Sequence, residues 1–129
     1  MKRIVVEWSH LEVAGTTCDR CTDTGEALRE AVAALDAECT PKGVHVVLEE
    51  TALGPEAVAE SNRIRIDGRP LESLLPDARS GQSGCTSCDD LLDARGTQCR
   101  TIECGPLRHE AVPASLVREA VCRVAGCCG

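Results

Sequence analysis

The chain contains no phenylalanine, no tyrosine, one tryptophan (Trp8) and one methionine. A core without other aromatic rings must come from Val, Leu, Ile and Ala, and platforms for stacking nucleobases are missing. Basic charge is scarce as well: 14 Lys and Arg stand against 21 Asp and Glu, a net charge of −7. Nucleic acid and anionic membrane surfaces both reward clustered Lys and Arg, so neither is expected as a partner. Long apolar runs are also lacking. Ile4-Val5-Val6 is broken by Glu7 and His10, too short for the apolar part of a secretory leader or for a membrane span. The acidic residues form no spaced pair suited to glycosidic or aspartic chemistry, and no Gly-rich phosphate loop is present. What these absences leave is a cytoplasmic protein that handles a small ligand or a protein partner, with no organic cofactor expected.

Cysteine is what the chain has in abundance, ten in 129 residues. This length suits one domain, large enough to bury a core without covalent staples. In a reducing compartment most of the thiols stay reduced, and such patterns point to metal binding or catalysis more than to structural disulfides. The first pair stands in Gly15-Thr16-Thr17-Cys18-Asp19-Arg20-Cys21, after an apolar strand pattern and at the start of a long helical one. A thiol there faces unpaired backbone N–H groups and the positive end of the helix dipole, which favour the thiolate. In such settings a thiol pKa of about 8.5 can fall to roughly 3.5–7.5. The thiolate is both the nucleophile of disulfide exchange and a ligand for soft metals. Cys18 and Cys21 are thus expected to form a reachable, ionisable dithiol, with Arg20 and the helix start as its stabilisers.

Periodicity places the elements around this pair. Lys2 to Trp8 reads as a strand with both faces buried, and Thr22 to Glu38 as a helix with Leu28, Ala31, Val32, Leu35 and Cys39 on one stripe. Cys39 is then a small buried hydrophobe. Val44 to Glu49 reads as a second strand and Gly54-Pro55-Glu56 as the opening of a short helix. Arg63-Ile64-Arg65-Ile66 is a third strand ending in the turn signal Asp67-Gly68. From Pro76 to Thr97 the composition turns to Gly, Ser, Asp and Cys, an excursion from the core. Cys99 to Glu103 reads as a strand, Leu107 to Val112 as extended, and Pro113 to Ala125 as a closing helix with Leu116, Val117, Ala120, Val121 and Val124 on one face. One domain is expected over residues 1–126, with an insertion at 77–97 and a mobile Cys-Cys tail at 127–129. The element order predicts an α/β sandwich with a central mixed sheet.

A strand, a Cys-x-x-Cys at a helix start, a strand, a helix, a strand pair and a final helix resemble the thioredoxin fold. Glu7-Trp8-Ser9-His10, Ser61 to Gly68 and Cys99-Arg100-Thr101-Ile102 resemble, over nearly the whole chain, a family of uncharacterised prokaryotic thioredoxin-like domains. The thioredoxin resemblance implies Cys18 as attacking thiol and Cys21 as resolving thiol, working with a redox partner protein. Two residues depart from it: Asp19-Arg20 replaces the Gly-Pro spacer, and Asn62 stands where thioredoxins place a cis-proline before the third strand. That proline helps keep metals off the dithiol, so its replacement favours metal binding. Gly15 to Cys21 is similar to the Gly-Met-Thr-Cys-x-x-Cys loop of small heavy-metal-binding domains, with Thr16 for Met. That likeness implies capture of a two-coordinate ion such as Cu(I) or Hg(II). Cys127-Cys128-Gly129 resembles the C-terminal cysteine pair of mercuric reductases, which implies an arm that collects a metal for Cys18 and Cys21.

Two further groups remain. Cys85 and Cys88, with Cys99 and Cys104, have the count for a closed tetrahedral site such as zinc prefers. A disulfide, a sulfur relay or four unrelated thiols are the alternatives. Cys122 reads as packing, His10 as a solvated side chain or a thiolate neighbour, and His45 and His109 as structural or exposed. Three readings follow: a thioredoxin-like protein that binds or transfers a soft metal or metalloid (Cu(I), Hg(II) or As(III)), a thiol–disulfide oxidoreductase, and an interaction domain stapled by zinc.

Overall fold

Residues 4, 6 and 8 carry the apolar face of the first strand, and burying them sets the centre of the molecule. In the computed structural model, which describes residues 2–128, β1 (Lys2–Leu11) has Ile4, Val6 and Trp8 buried while Val5, Glu7 and Ser9 are only half-buried. The expected burial on both faces is therefore replaced by alternation. β1 pairs in parallel with β2 (Val44–Leu53) and antiparallel with β3 (Arg63–Ile66). Asp67 and Gly68, both with positive φ, turn β3 into β4 (Arg69–Pro70), completing a mixed four-stranded sheet in the order β2-β1-β3-β4. The parallel β1/β2 pair needs a crossover, and α1 (Asp19–Cys39) supplies it. The stripe Leu28, Ala31, Val32, Leu35 and Cys39 is buried throughout. At the far end of the chain α3 (Ala114–Ala125) packs on α1 and buries Val117, Ala120 and Val121.

Where a second helix was expected, Pro55–Glu60 forms 3-10 turns interrupted at Ala57. The excursion is not a loop. It contains β5 (Ala78–Gly84) and α2 (Thr86–Leu92), and β5 pairs with β6 (Gln98–Cys104), which also pairs with β7 (Leu107–His109). This three-stranded antiparallel sheet stands beside the first and packs against the 3-10 turns that flank β3 and β4. The architecture is thus mixed α/β with a mixed sheet and an antiparallel one. Among the described residues no helix is long and apolar enough to cross a membrane.

The expected free tail takes another form. Gly126, with φ of 65°, ends α3 and redirects the chain so that Cys127 reaches Cys39, to which it is disulfide-bonded; Cys128 is bonded to Cys122. Cys127 is buried, and Lys42 Nζ donates to its carbonyl oxygen at 2.9 Å. Gly129 of the expected tail and Met1 lie outside the described residues.

Candidate metal centre

Cys18 is the N-cap of α1, with extended backbone (φ −77°, ψ 164°), and Cys21 follows in the first turn. Cys85 and Cys88 occupy the same two places on α2. The two helix starts are joined directly, because the Asp19 backbone N–H, which has no partner within its own helix, donates to Ser87 Oγ at 3.0 Å. Arg20 adds a second tie. Its guanidinium is buried and donates to the carbonyls of Cys99 (2.9 Å) and Gly84 (3.0 Å), with Glu110 at 3.7 Å as its charge partner. The far side of α2 is held by Asp89, which accepts from the Thr97 N–H at 2.7 Å, while the Cys85 N–H donates to the Thr97 carbonyl. Hydrogen bonding from Thr97 lowers the Asp89 pKa, so the carboxylate is the form that clamps.

These ties bring Cys18, Cys85, Cys88 and Cys99 together. Their sulfur atoms all lie within 4.8 Å of one another, and all four residues are buried. Cys88 Sγ and Cys99 Sγ are 2.8 Å apart. Tetrahedral zinc with Zn–S bonds of about 2.3 Å sets sulfurs roughly 3.8 Å apart, so the group has the size for such an ion once that pair spreads by about 1 Å. A cleft of about 450 Å³ lined by Asp19, Arg20, Asp23, Cys85, Ser87 and Glu110 reaches its edge.

Electrostatics single out Cys18. Thiol hydrogen bonds from Cys21 and then Cys99 hold it far below the ordinary thiol range, against the opposing effect of burial. The same bonds push the donors up: Cys21 through Cys18 and then burial, Cys99 likewise. Burial raises Cys88 as well, with Cys85 next in effect. Neighbouring sulfurs, Cys21 first and then Cys99, rather than Arg20 lead the lowering at Cys18.

The remaining expected residues fall elsewhere. Cys21 stays beside Cys18 but turns to Ser61, Sγ to Oγ 3.2 Å, and Ser61 Oγ also accepts from the Leu11 N–H. Cys18 and Cys21 are 2 % and 0 % exposed, so the expected reachable dithiol is sealed beneath side chains. Cys104 lies on β6 five residues from Cys99; a strand alternates its faces and rises about 3.4 Å per residue, so their thiols point to opposite sides roughly 17 Å apart along the strand. Cys127 and Cys128 are held in disulfides near the far end of α1, a 21-residue helix about 30 Å long, and so are no arm reaching Cys18. His10 stacks on Trp8, ring centroids 4.3 Å apart, and His45 bonds Asp36 and Thr40. His109 lies in β7. What sequence reasoning missed was the partnership of Cys18 with the second Cys-x-x-Cys; the one available signal was that both motifs precede helix starts.

The family model described as "Domain of unknown function (DUF2703)" matches residues 4–121, a span that includes all four clustered cysteines. An uncharacterised protein of Archaeoglobus fulgidus is 38% identical over 119 residues, covering 89% of this chain and 82% of its own. No solved structure matches the chain. On this coverage the chain belongs to the DUF2703 family.

Proposed function

We propose that the protein binds a thiophilic metal ion through Cys18, Cys85, Cys88 and Cys99, in a thioredoxin-like chain whose insertion supplies two of the four sulfurs, Cys85 and Cys88, and whose strand β6 supplies a third. The observation that carries this is the buried four-sulfur group itself, with its mutual spacing under 4.8 Å. Isolated thiols seldom gather this way without reason, since each buried sulfur that ionises needs a compensating charge. Four sulfurs suit a tetrahedral ion, zinc above all; Cu(I) and Hg(II) need only two, and burial weighs against rapid open exchange. Arg20 supplies a buried positive charge that offsets part of the negative charge of a tetrathiolate. The sheet order β2-β1-β3-β4, Cys18 at the start of α1 and the Ser61-Asn62 segment beside Cys21 all support the thioredoxin-like reading. A reducing compartment such as the cytoplasm would keep these thiols available.

A thiol–disulfide oxidoreductase is the second reading, favoured by the 2.8 Å approach of Cys88 and Cys99 and by the Cys18 thiolate. Elemental analysis of protein purified without oxygen separates the two. In protein whose Cys39–Cys127 and Cys122–Cys128 disulfides are intact, metal binding predicts one bound ion per chain that is lost in Cys18→Ser and Cys88→Ser and retained in Cys104→Ser. Protein that arrives metal-free, takes up no added Zn(II) and carries a Cys88–Cys99 disulfide would overturn it in favour of redox exchange.

A further inference from the structure

A second sulfur group occupies the opposite end of α1. Cys39, Cys127 and Cys128 have their sulfurs within 4.8 Å of one another, and Cys122 is bonded to Cys128, so two disulfides lie side by side. We propose that these four cysteines form a second site for a thiophilic divalent ion, closed while the two disulfides are intact and opened by their reduction. It goes beyond the tetrathiolate of the preceding section and does not depend on it.

The surroundings favour a cation. Cys39 is the last residue of α1, and Cys122 lies in the last turn of α3 before its cap at Gly126. Helix C-termini carry partial negative charge, which disfavours bare thiolates and favours a positive ion held by them. Gly126 and the Lys42 bond to the Cys127 carbonyl fix the chain so that both tail cysteines stay at this end.

Burial sets an order for opening. Cys122 and Cys128 are half-buried, whereas Cys39 and Cys127 are 0 % and 2 % exposed. An external dithiol can therefore attack the outer disulfide: its thiolate bonds to one sulfur, its second thiol resolves that mixed disulfide, and Cys122 and Cys128 leave reduced by two electrons. The Cys128 thiolate is then within 4.8 Å of both sulfurs of the inner disulfide. Attack on Cys39 Sγ forms a Cys39–Cys128 bond and expels Cys127, an exchange with no net electron change. A second external dithiol opens that bond, so two dithiols become two disulfides and four thiols result. Binding a divalent ion then releases the thiol protons to solvent.

Titration with Cd(II) alone, read by its sulfur-to-metal charge-transfer absorbance, tests this. Protein with disulfides intact should bind one Cd(II), and protein reduced with a phosphine that is then removed under argon should bind two. Cys122→Ser/Cys128→Ser leaves the inner disulfide available as a fold control, and Cys39→Ser/Cys127→Ser removes the buried pair; both should bind one Cd(II) after reduction. Cys18→Ser/Cys85→Ser should keep the reduction-dependent equivalent alone. Reduced wild type that binds no additional Cd(II), or a second equivalent that survives in both tail variants, would overturn the second site. Absence of the reduction-independent equivalent would instead overturn only the tetrathiolate at Cys18.

Discussion

Gly25 is the residue that lets α1 approach the sheet. A Cβ there would stand 2.6 Å from Cη2 and 2.9 Å from Cζ3 of the Trp8 ring. The ring has little freedom to yield, because its Nε1 donates to Asn62 Oδ1 at 3.2 Å, His10 stacks on it and the Arg29 guanidinium lies 5.9 Å from its centroid. Ala is the better helix former by about 1 kcal/mol, but forcing a methyl into filled space costs roughly 1–3 kcal/mol. Gly25→Ala should therefore lower the urea unfolding midpoint and shift the Trp8 fluorescence. A raised midpoint would mean that the ring moves freely. Because Asn62 follows Ser61, which contacts Cys21, a displaced ring should also disturb the segment beside the four-sulfur group.

At the scale of elements, Asp36 joins α1 to β2. Its Oδ1 accepts from the Val46 N–H at 3.0 Å and lies 3.3 Å from both Thr40 Oγ1 and His45 Nδ1. The Val46 N–H first, then His45, lower the pKa of this carboxyl. A carboxylate with a depressed folded pKa adds stability that is fully present above its unfolded pKa of about 3.9 and is lost as pH falls through the folded value. Asp36→Asn should thus lower stability at neutral pH and flatten the loss below about pH 4, measured as urea midpoints across pH. An unchanged acid limb would remove Asp36 from its causes. Elements such as β3 were legible because Ile64 and Ile66 alternate with arginines and a turn signal follows. α1 was legible from its stripe, though it begins three residues earlier than the pattern suggests. β5 was not, since Ala78–Gly84 has no buried residue and forms by pairing with β6 rather than by packing an apolar face. The four-sulfur group shared that opacity: Cys18 meets Cys85, Cys88 and Cys99 only because α2 lies against the start of α1 and Arg20 reaches the carbonyls of Gly84 and Cys99 on a strand pair whose first member periodicity does not reveal. The tail failed for another reason, as cysteine connectivity is not written in spacing.

For the molecule as a whole, α1 is a rod with a sulfur group at each end, one tying the insertion to the chain and the other tying the C-terminus to it. The two disulfides of the second group should contribute very unequally. Cys39 and Cys127 are separated by 88 residues, Cys122 and Cys128 by 6. A cross-link restricts the unfolded chain by an amount that grows as (3/2)RT ln n, so the ratio of these separations corresponds to about 2 kcal/mol in favour of the long loop. Burial adds to the contrast, because Cys39 and Cys127 are sealed in the core while their neighbours are half-buried. Cys39→Ser/Cys127→Ser should accordingly lose about 2–4 kcal/mol of unfolding free energy, and Cys122→Ser/Cys128→Ser much less. Urea unfolding of oxidised, metal-free protein is the measurement, and reduced wild type should fall with the first variant. Equal losses in the two variants would show that local contacts at the helix ends, not the closing of a long loop, are what the C-terminal cysteines supply.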